Sequence, residues 1–131
     1  MKIIFICRHN RFRSKVGEAF FKKYNESKKI MAISRGVFRD KNVPNVVFNA
    51  MKKRGVIVNR ESRVVSRQEV LDSDLIVNVA DDVPSKLFKG KKVLNWNISD
   101  TDIKDVKGIN KRIDKIEKKV KKLVKKLNKK A

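Results

Sequence analysis

Cys7, Arg13 and Ser14 fall in the run Cys-Arg-His-Asn-Arg-Phe-Arg-Ser, directly after the apolar stretch Ile3-Ile4-Phe5-Ile6 and directly before a helical pattern. Five residues between a cysteine and an arginine can curl so that their backbone N–H groups converge on one oxyanion. The N-terminus of the following helix adds its dipole to that cradle. An anion held there sits over the sulfur. Arg13 closes the ring with a planar, two-pronged donor set suited to phosphate oxygens, and the same positive surroundings lower the thiol pKa and make Cys7 a nucleophile. Ser14, at the start of the helix, can cap N–H groups or steady the thiolate. The candidate phosphate-binding set is therefore Arg8, His9, Asn10, Arg11, Phe12, Arg13 and Ser14. A cysteine that ends a buried strand is ordinarily inert core. What sets Cys7 apart is the arginine six positions on, the hydroxyl after it, and the strand-to-helix setting.

The elements that must hold this loop can be read along the chain. Lys2 to Ile6 is continuous in apolar character, as buried parallel strands are. Ser14 to about Tyr24 follows as a helix with Val16, Ala19, Phe20 and Lys23 on one face and Glu18 near the positive end of the helix dipole. Lys29 to Ser34 reads as a second strand, ended by Arg35-Gly36. Pro44 opens a second helix carrying Val46, Val47, Ala50 and Met51, which Gly55 stops in the C-terminal capping position. Val56 to Val58 leads into a polar stretch, and Ser66 with Glu69 three residues on has the form of a capping box. Leu75 to Val79 is a third strand, Asp81-Asp82-Val83-Pro84 restarts a short helix, and Lys92 to Trp96 is a fourth strand. Ser99 to Asp105 is an acidic loop before a long terminal helix. Strands alternating with helices imply a small parallel sheet covered on both faces, with ligands outside the carboxyl ends of the strands.

With 131 residues the chain suits one domain with a real core, expected to span 1–131 and to end in a Lys-rich amphipathic helix at about 105–129. No stretch approaches a membrane span, and Met1 leads almost at once into a strand pattern rather than a cleavable leader, so the expected location is the cytoplasm. One cysteine excludes an intramolecular disulfide and an internal two-thiol relay. With His9 the only histidine, a structural metal site has almost no ligands to draw on, and neither metal nor cofactor is expected.

The formal charge of +21 is unevenly spread: Lys104 to Ala131 holds 13 Lys/Arg against 3 acids, a net of +10, which leaves +11 for the other 103 residues. In this segment Ile109, Ile113, Ile116, Val120, Leu123 and Leu127 alternate steps of four and three, so they form one stripe while lysines cover the rest. A docked helix with a solvated face is the plain reading, and a nucleic acid, anionic lipid or acidic partner the alternative. No aromatic residue interleaves with those lysines, which weighs against base stacking.

Displacing a phosphate ester leaves a poor leaving group unless it is protonated, so a carboxylic acid should face the thiolate. Asp100 and Asp102, after the fourth strand, can reach the rim. Asp72, Asp74, Asp81 and Asp82 surround the third strand, where helix capping is the simpler explanation.

At this point the chain resembles, over nearly its whole length, the low-molecular-weight protein tyrosine phosphatases and the arsenate reductases that share their fold. In that family the loop reads Cys, five residues, Arg, then Ser or Thr near the N-terminus, and the general acid comes late, usually as Asp-Pro. The resemblance implies Cys7 as nucleophile, Arg13 as phosphate clamp, Ser14 as the hydroxyl supporting the thiolate, and Asn10 as the asparagine that fixes the loop. It implies Ser34 as the serine that hydrogen-bonds Asn10. Gly55-Val56-Ile57 through Ser62-Arg63 is similar to the family's segment before its third strand. Trp96-Asn97-Ile98-Ser99-Asp100 resembles the stretch that ends in the acid, which selects Asp100 over Asp102. Departures are His9 where family loops often have glycine, Arg60 where a histidine is common, Thr101 for the usual proline, and no tyrosines after it.

The expected fold is α/β: a three-layer arrangement with a four-stranded parallel sheet of order 2-1-3-4 and helices on both faces. The expected activity is hydrolysis of phosphate monoesters, protein phosphotyrosine foremost, through a cysteinyl-phosphate, with a phosphorylated protein or small phosphate ester as substrate. Three other readings use parts of the same sequence. Arsenate reduction would need an external thiol. A phosphocysteine carrier of the sugar phosphotransferase type would have to retain the phosphate that Arg13 and Asp100 help to release. A basic binding module would carry a vestigial pocket.

Overall fold

The computed structural model describes residues 1–130. Four parallel strands, β1 (Lys2–Cys7), β2 (Met31–Gly36), β3 (Leu75–Ala80) and β4 (Val93–Ile98), form one sheet in the order β2-β1-β3-β4. The helices are α1 (Arg13–Tyr24), α2 (Asn45–Lys53), α3 (Arg67–Asp72) and α4 (Val106–Lys130), with one turn of 3₁₀ helix at Ser85–Phe88. This is the expected α/β arrangement, with the strand order as expected.

β1 is central because its side chains serve both faces of the sheet. Ile3 and Phe5 enter the larger core with Leu75 and Val77, under α1, α2 and α4. Ile4 and Ile6 enter the smaller core with Ile76, Ala80 and Phe88. The alternation follows from the two-residue period of a strand. Phe5 anchors the larger side, with its ring centroid 5.7 Å from Phe21 and 5.9 Å from Trp96. Paired register runs from Lys2 opposite Met31 to Cys7 opposite Gly36, which brings the ends of β1 and β2 level. The β3–β4 ladder is irregular between Asn78 and Ala80, and the shift sends Ile98 opposite Ala80.

Several boundaries differ from expectation. β2 begins at Met31 rather than Lys29, because Ser27 to Ile30 makes a turn closed by Ile30 N–H to the Ser27 carbonyl. β4 runs on to Ile98. In α1 the buried face is Val16, Phe20 and Phe21, so Lys23 stays exposed, its Nζ donating to the Arg54 carbonyl. Asp81 and Asp82 cap no helix: Pro84 precedes the 3₁₀ turn and no side chain caps it. Asp74 accepts from Lys2 N–H and Asp72 from Gln68 Nε2, so neither of these caps a helix start either.

Other local signals hold. Ser66 accepts from Glu69 N–H while Glu69 accepts from Ser66 N–H, which completes the capping box. Gly55 has φ 76° just past α2, the left-handed region a glycine enters at no steric cost. α4 buries Ile109, Ile113, Ile116, Val120 and Leu123 as one seam, with Val124 beside it and Leu127 partly covered. Each such fully buried aliphatic side chain contributes roughly 1.5–3 kcal/mol. Among the described residues no helix is long and apolar enough to cross a membrane, and no group of three or more potential metal ligands gathers.

Candidate active site

Cys7 ends β1 and Arg13 begins α1, so residues 8–12 must turn the chain within one loop. Asn10 makes that turn with φ 53°, a left-handed conformation that asparagine tolerates better than most residues. Phe12 inserts into the larger core and pins the loop from within. Outside contacts fix the rest: the Arg8 carbonyl accepts from both Val37 and Phe38 N–H at 2.9 Å, and the Asn10 carbonyl accepts from Ser62 Oγ at 2.7 Å. Asn10 Oδ1 accepts from Arg63 N–H at 2.9 Å. The N–H groups of His9, Asn10, Arg11 and Phe12 have no acceptor among the described residues, so they are available to an anion.

Gly36 is what lets β2 close on this loop. A Cβ there would lie 2.8 Å from both Asn10 N and the His9 carbonyl carbon, which are backbone atoms that cannot swing aside.

Beneath the loop runs a chain of hydrogen bonds. Asn10 Nδ2 donates to Ser14 Oγ at 2.8 Å, and Ser14 Oγ lies 2.9 Å from Cys7 Sγ. With its oxygen accepting from Asn10, the Ser14 hydroxyl has its own proton free for sulfur, and an ionised sulfur can only accept. The Ser14 hydroxyl is thus placed to donate to the Cys7 sulfur. Cys7 as a residue is 2% exposed.

Arg13 is 2% exposed as a residue, and its guanidinium is held from the far side. Nη1 donates to the Ile98 carbonyl at 2.9 Å and lies 3.5 Å from Asp81, while Nη2 donates to Asp82 Oδ1 at 3.0 Å. Nε–H has no acceptor among the described residues, which leaves one edge of the guanidinium for a ligand. Asp81 and Asp82 therefore orient Arg13, at the carboxyl end of β3. Their position at a strand's carboxyl end was the signal that could have found them, since ligands gather there in parallel sheets.

Ser34 does not bond Asn10 as expected. It donates to Glu18 Oε1 at 2.6 Å, because both polar ends of the Asn10 side chain are taken by Ser14 and Arg63. Glu18 in turn pairs with Lys22 at 2.6 Å. Lys15, next to Ser14, is 4% exposed with no carboxylate within ion-pair distance among the described residues. Burial pushes its ammonium below the usual lysine range, with Arg35 and Arg63 adding to the effect and Glu18 opposing it. Arg60 stands over the Phe48 ring at 4.8 Å and donates to the Val43 carbonyl, with no hydrogen bond to the Cys7 loop.

The rim of the loop is formed by Arg8, His9 and Arg11 with the segment after β2. The Arg8 guanidinium stacks 5.1 Å from the ring centroid of Phe38, a residue 53% exposed. His9 Nδ1 lies 3.3 Å from Asp40 Oδ2 without hydrogen-bond geometry, and Arg11 lies 3.9 Å from the same carboxylate. Phe38 supplies an exposed aromatic surface on this side.

Asp100 is exposed, in the loop that follows β4, and its Oδ1 accepts from the N–H of Thr101 at 2.9 Å. It makes no hydrogen bond to Cys7 or Arg13. Ile98, two residues earlier, does touch Arg13, so the loop begins beside the site. Asn97, with φ 54°, turns the strand end into it. Arg112 on α4 braces the loop by donating to the Ser99 carbonyl at 2.8 Å, to Ser99 Oγ at 3.0 Å and to the Asp100 carbonyl at 3.2 Å. Thr101 Oγ1 donates to Asp105, which also accepts from Gly108 N–H at the start of α4. Those two hydrogen bonds, Thr101 first, hold the Asp105 carboxyl below its ordinary value. Asp102 accepts from Lys104 N–H within the same loop.

A cleft of about 470 Å³ lies elsewhere, between Tyr24 and the end of α4. It holds none of the residues of the Cys7 loop.

Comparison with known proteins gives the same picture. A family model described as low molecular weight phosphotyrosine protein phosphatase matches residues 2–131. An arsenate reductase from Archaeoglobus fulgidus is 31% identical, with 93% of this chain and 98% of that chain covered and a TM-score of 0.78. A protein tyrosine phosphatase from Entamoeba histolytica is 23% identical, with 98% and 96% covered and a TM-score of 0.83. The YwlE arginine phosphatase from Geobacillus stearothermophilus is 16% identical, with 98% and 94% covered and a TM-score of 0.83. At such identities the last two show a shared fold. No curated protein matches the chain.

Proposed function

Because this chain belongs to the low molecular weight phosphotyrosine protein phosphatase family, we propose that it hydrolyses phosphate monoesters, protein phosphotyrosine among them, through a phosphocysteine at Cys7. The observation that carries this reading is the relay from Asn10 through Ser14 to the Cys7 sulfur, beneath a loop whose amides have no internal acceptor.

In the first step the Cys7 thiolate attacks phosphorus in line, an S–P bond forms, and the ester P–O bond breaks. The amides of residues 9–12 and the free edge of Arg13 hold the equatorial oxygens, where charge is spread in the transition state. Asp82 and Asp81 keep Arg13 turned toward them. Asp100 gives its proton to the leaving oxygen. In the second step Asp100 takes a proton from water, the water oxygen attacks phosphorus, and the S–P bond breaks to release phosphate and the thiolate. No step calls for a metal or cofactor.

Phe38 at the rim suits the flat face of an aryl phosphate, and Arg8 and Arg11 suit a substrate with further negative charge. The test is direct. Wild type turns over an aryl phosphate and a phosphotyrosine peptide, and acid quenching traps phosphate on the peptide containing Cys7. Cys7→Ser abolishes turnover, and turnover retained by that variant overturns the mechanism.

The Archaeoglobus fulgidus relative favours a second reading, arsenate reduction. That reaction needs two electrons, and a chain with one cysteine supplies one thiol of the pair. The other must come from a second molecule, so arsenate-dependent oxidation of glutathione or thioredoxin distinguishes the two activities.

A further inference from the structure

α4 carries a feature that phosphate chemistry at Cys7 does not use. From Lys107 to Lys129 the exposed positions of this helix are lysine at 107, 111, 115, 118, 121, 122, 125, 126 and 129, with Asp114 the only other residue type. Six of them, Lys111, Lys115, Lys118, Lys122, Lys125 and Lys129, repeat in steps of four and three. Each stands two residues after a member of the apolar seam Ile109, Ile113, Ile116, Val120, Leu123 and Leu127. Two residues turn a helix by about 200°, so the lysines form one straight ridge directly opposite the buried seam. It extends about 27 Å along the axis.

The ridge is uncompensated. None of the six lysines has a carboxylate within ion-pair distance among the described residues. Acids nearby are engaged elsewhere: Asp114 pairs with Arg54, and Glu117 accepts from the Tyr24 hydroxyl and lies 4.0 Å from Lys121, off the ridge. A helix face selected only for solvation gains from Glu placed four residues before Lys, whereas stacked lysines repel. Here like charges alone occupy the line.

From this we infer that the α4 ridge is a docking surface for the phosphate backbone of a nucleic acid duplex. The occupant must present many negative charges in a line at least as long as the ridge, and a duplex presents one per about 1.7 Å of axis. No aromatic residue stands on the exposed face to stack on unpaired bases, which favours a duplex over a single strand. Apolar residues for insertion into lipid are absent from that face too, because the seam is spent on the core: Ile113, Ile116 and Val120 are each 0% exposed.

The ridge is tested by fluorescence anisotropy of the full chain with a labelled DNA duplex of about 20 base pairs, titrated across salt concentrations. Contact through six lysines gives a slope of log K against log salt near about −5, from roughly −0.9 for each phosphate neutralised. The variant Lys111→Gln, Lys118→Gln, Lys125→Gln makes the slope shallower by about 3 and weakens binding about a hundredfold at 0.15 M salt. Its turnover of a small aryl phosphate stays at the wild-type level. A control that removes the same charge elsewhere, Lys52→Gln, Lys53→Gln, Lys86→Gln, leaves slope and affinity nearly unchanged. Equal losses in the two triple variants mean that net charge alone binds, and overturn the assignment. So does the absence of duplex binding at 0.15 M salt. Binding to vesicles of anionic phospholipid without binding to the duplex also overturns it and makes lipid the partner.

Discussion

Arg112→Ala tests whether α4 holds the Asp100 loop for proton transfer. Arg112 makes three hydrogen bonds to that loop, to the Ser99 carbonyl, Ser99 Oγ and the Asp100 carbonyl. All three are solvent-exposed, so each is placed at the low end of net hydrogen-bond values, about 0.5 kcal/mol. Together they amount to about 1.5 kcal/mol, a factor of about ten in the share of molecules that keep Ser99 and Asp100 in place. A general acid contributes ~10²–10⁴ in rate, so loosening it without removing it costs only part of that. The expected result is a drop of about tenfold in kcat/KM for an aryl phosphate whose phenol is strongly basic. A nitro-substituted phenol needs little protonation as it leaves, and kcat/KM for its ester should hardly change. Arg112→Lys keeps the charge but not the fork, and falls between. Asp100→Asn, assayed in parallel, shows the same dependence on leaving group more steeply. Equal losses on both esters in Arg112→Ala refute the positioning role and point to a general loss of structure, which a thermal melt would register. If Asp100→Asn itself shows no dependence on leaving group, the acid has been misassigned, whatever Arg112 does.

Three further outcomes follow from the geometry. Ser14→Ala removes the hydroxyl 2.9 Å from Cys7 Sγ; a hydrogen bond to a charged group is worth about 1.5–3 kcal/mol, so kcat/KM should fall about ten- to a hundredfold. The loss should fall on kcat while the melting temperature stays within a few degrees, and an unchanged kcat would show that Ser14 does not support the sulfur. Gly36→Ala drives a methyl group against Asn10 N and the His9 carbonyl carbon; overpacking of about 1–3 kcal/mol should lower the melting temperature, and activity should fall further than stability predicts. Normal activity in that variant would mean that the loop does not need the close approach of β2. Glu69 gives the pH dependence. Burial pushes its carboxyl up, but hydrogen bonds from Arg35 and from Ser66 together outweigh burial and hold it below 4.5, its unperturbed value. The stabilisation is therefore complete above pH 4.5 and is lost as pH falls through the lower folded value. Glu69→Gln should cost about 1 kcal/mol at neutral pH and flatten the acid limb of a stability profile, and an unchanged limb would exclude this pair as its cause.

The parts of the fold that were legible in the sequence are those with short-range causes. The capping box at Ser66 and Glu69 and the stop at Gly55 are satisfied within a few residues. The seam of α4 is a periodicity that any helix of that sequence would show. β2 and β4 begin a residue or two later than their apolar runs suggest, because a strand begins where it finds a partner, and the partner lies far along the chain. Pro84 after Asp81 and Asp82 suggests helix capping, a local rule that loses to the buried Arg13 guanidinium. The resemblance pairs Ser34 with Asn10, while the side chain it reaches belongs to Glu18 on α1.

By itself the sequence determined the chemistry on offer. Cys7, Asn10, Arg13 and Ser14 lie within eight residues, so the loop between a strand and a helix brings them together whatever the rest of the chain does. Which groups aim that chemistry was decided only by the tertiary structure. Arg13 is turned by Asp81, Asp82 and the Ile98 carbonyl, 68 to 85 residues away, and the Asp100 loop is tied down by Arg112 from α4. Those contacts exist because the order β2-β1-β3-β4 puts the carboxyl ends of β3 and β4 beside the end of β1. Hydrogen bonds with a reach of about 3 Å cannot be read from residue types until the sheet has set the neighbours.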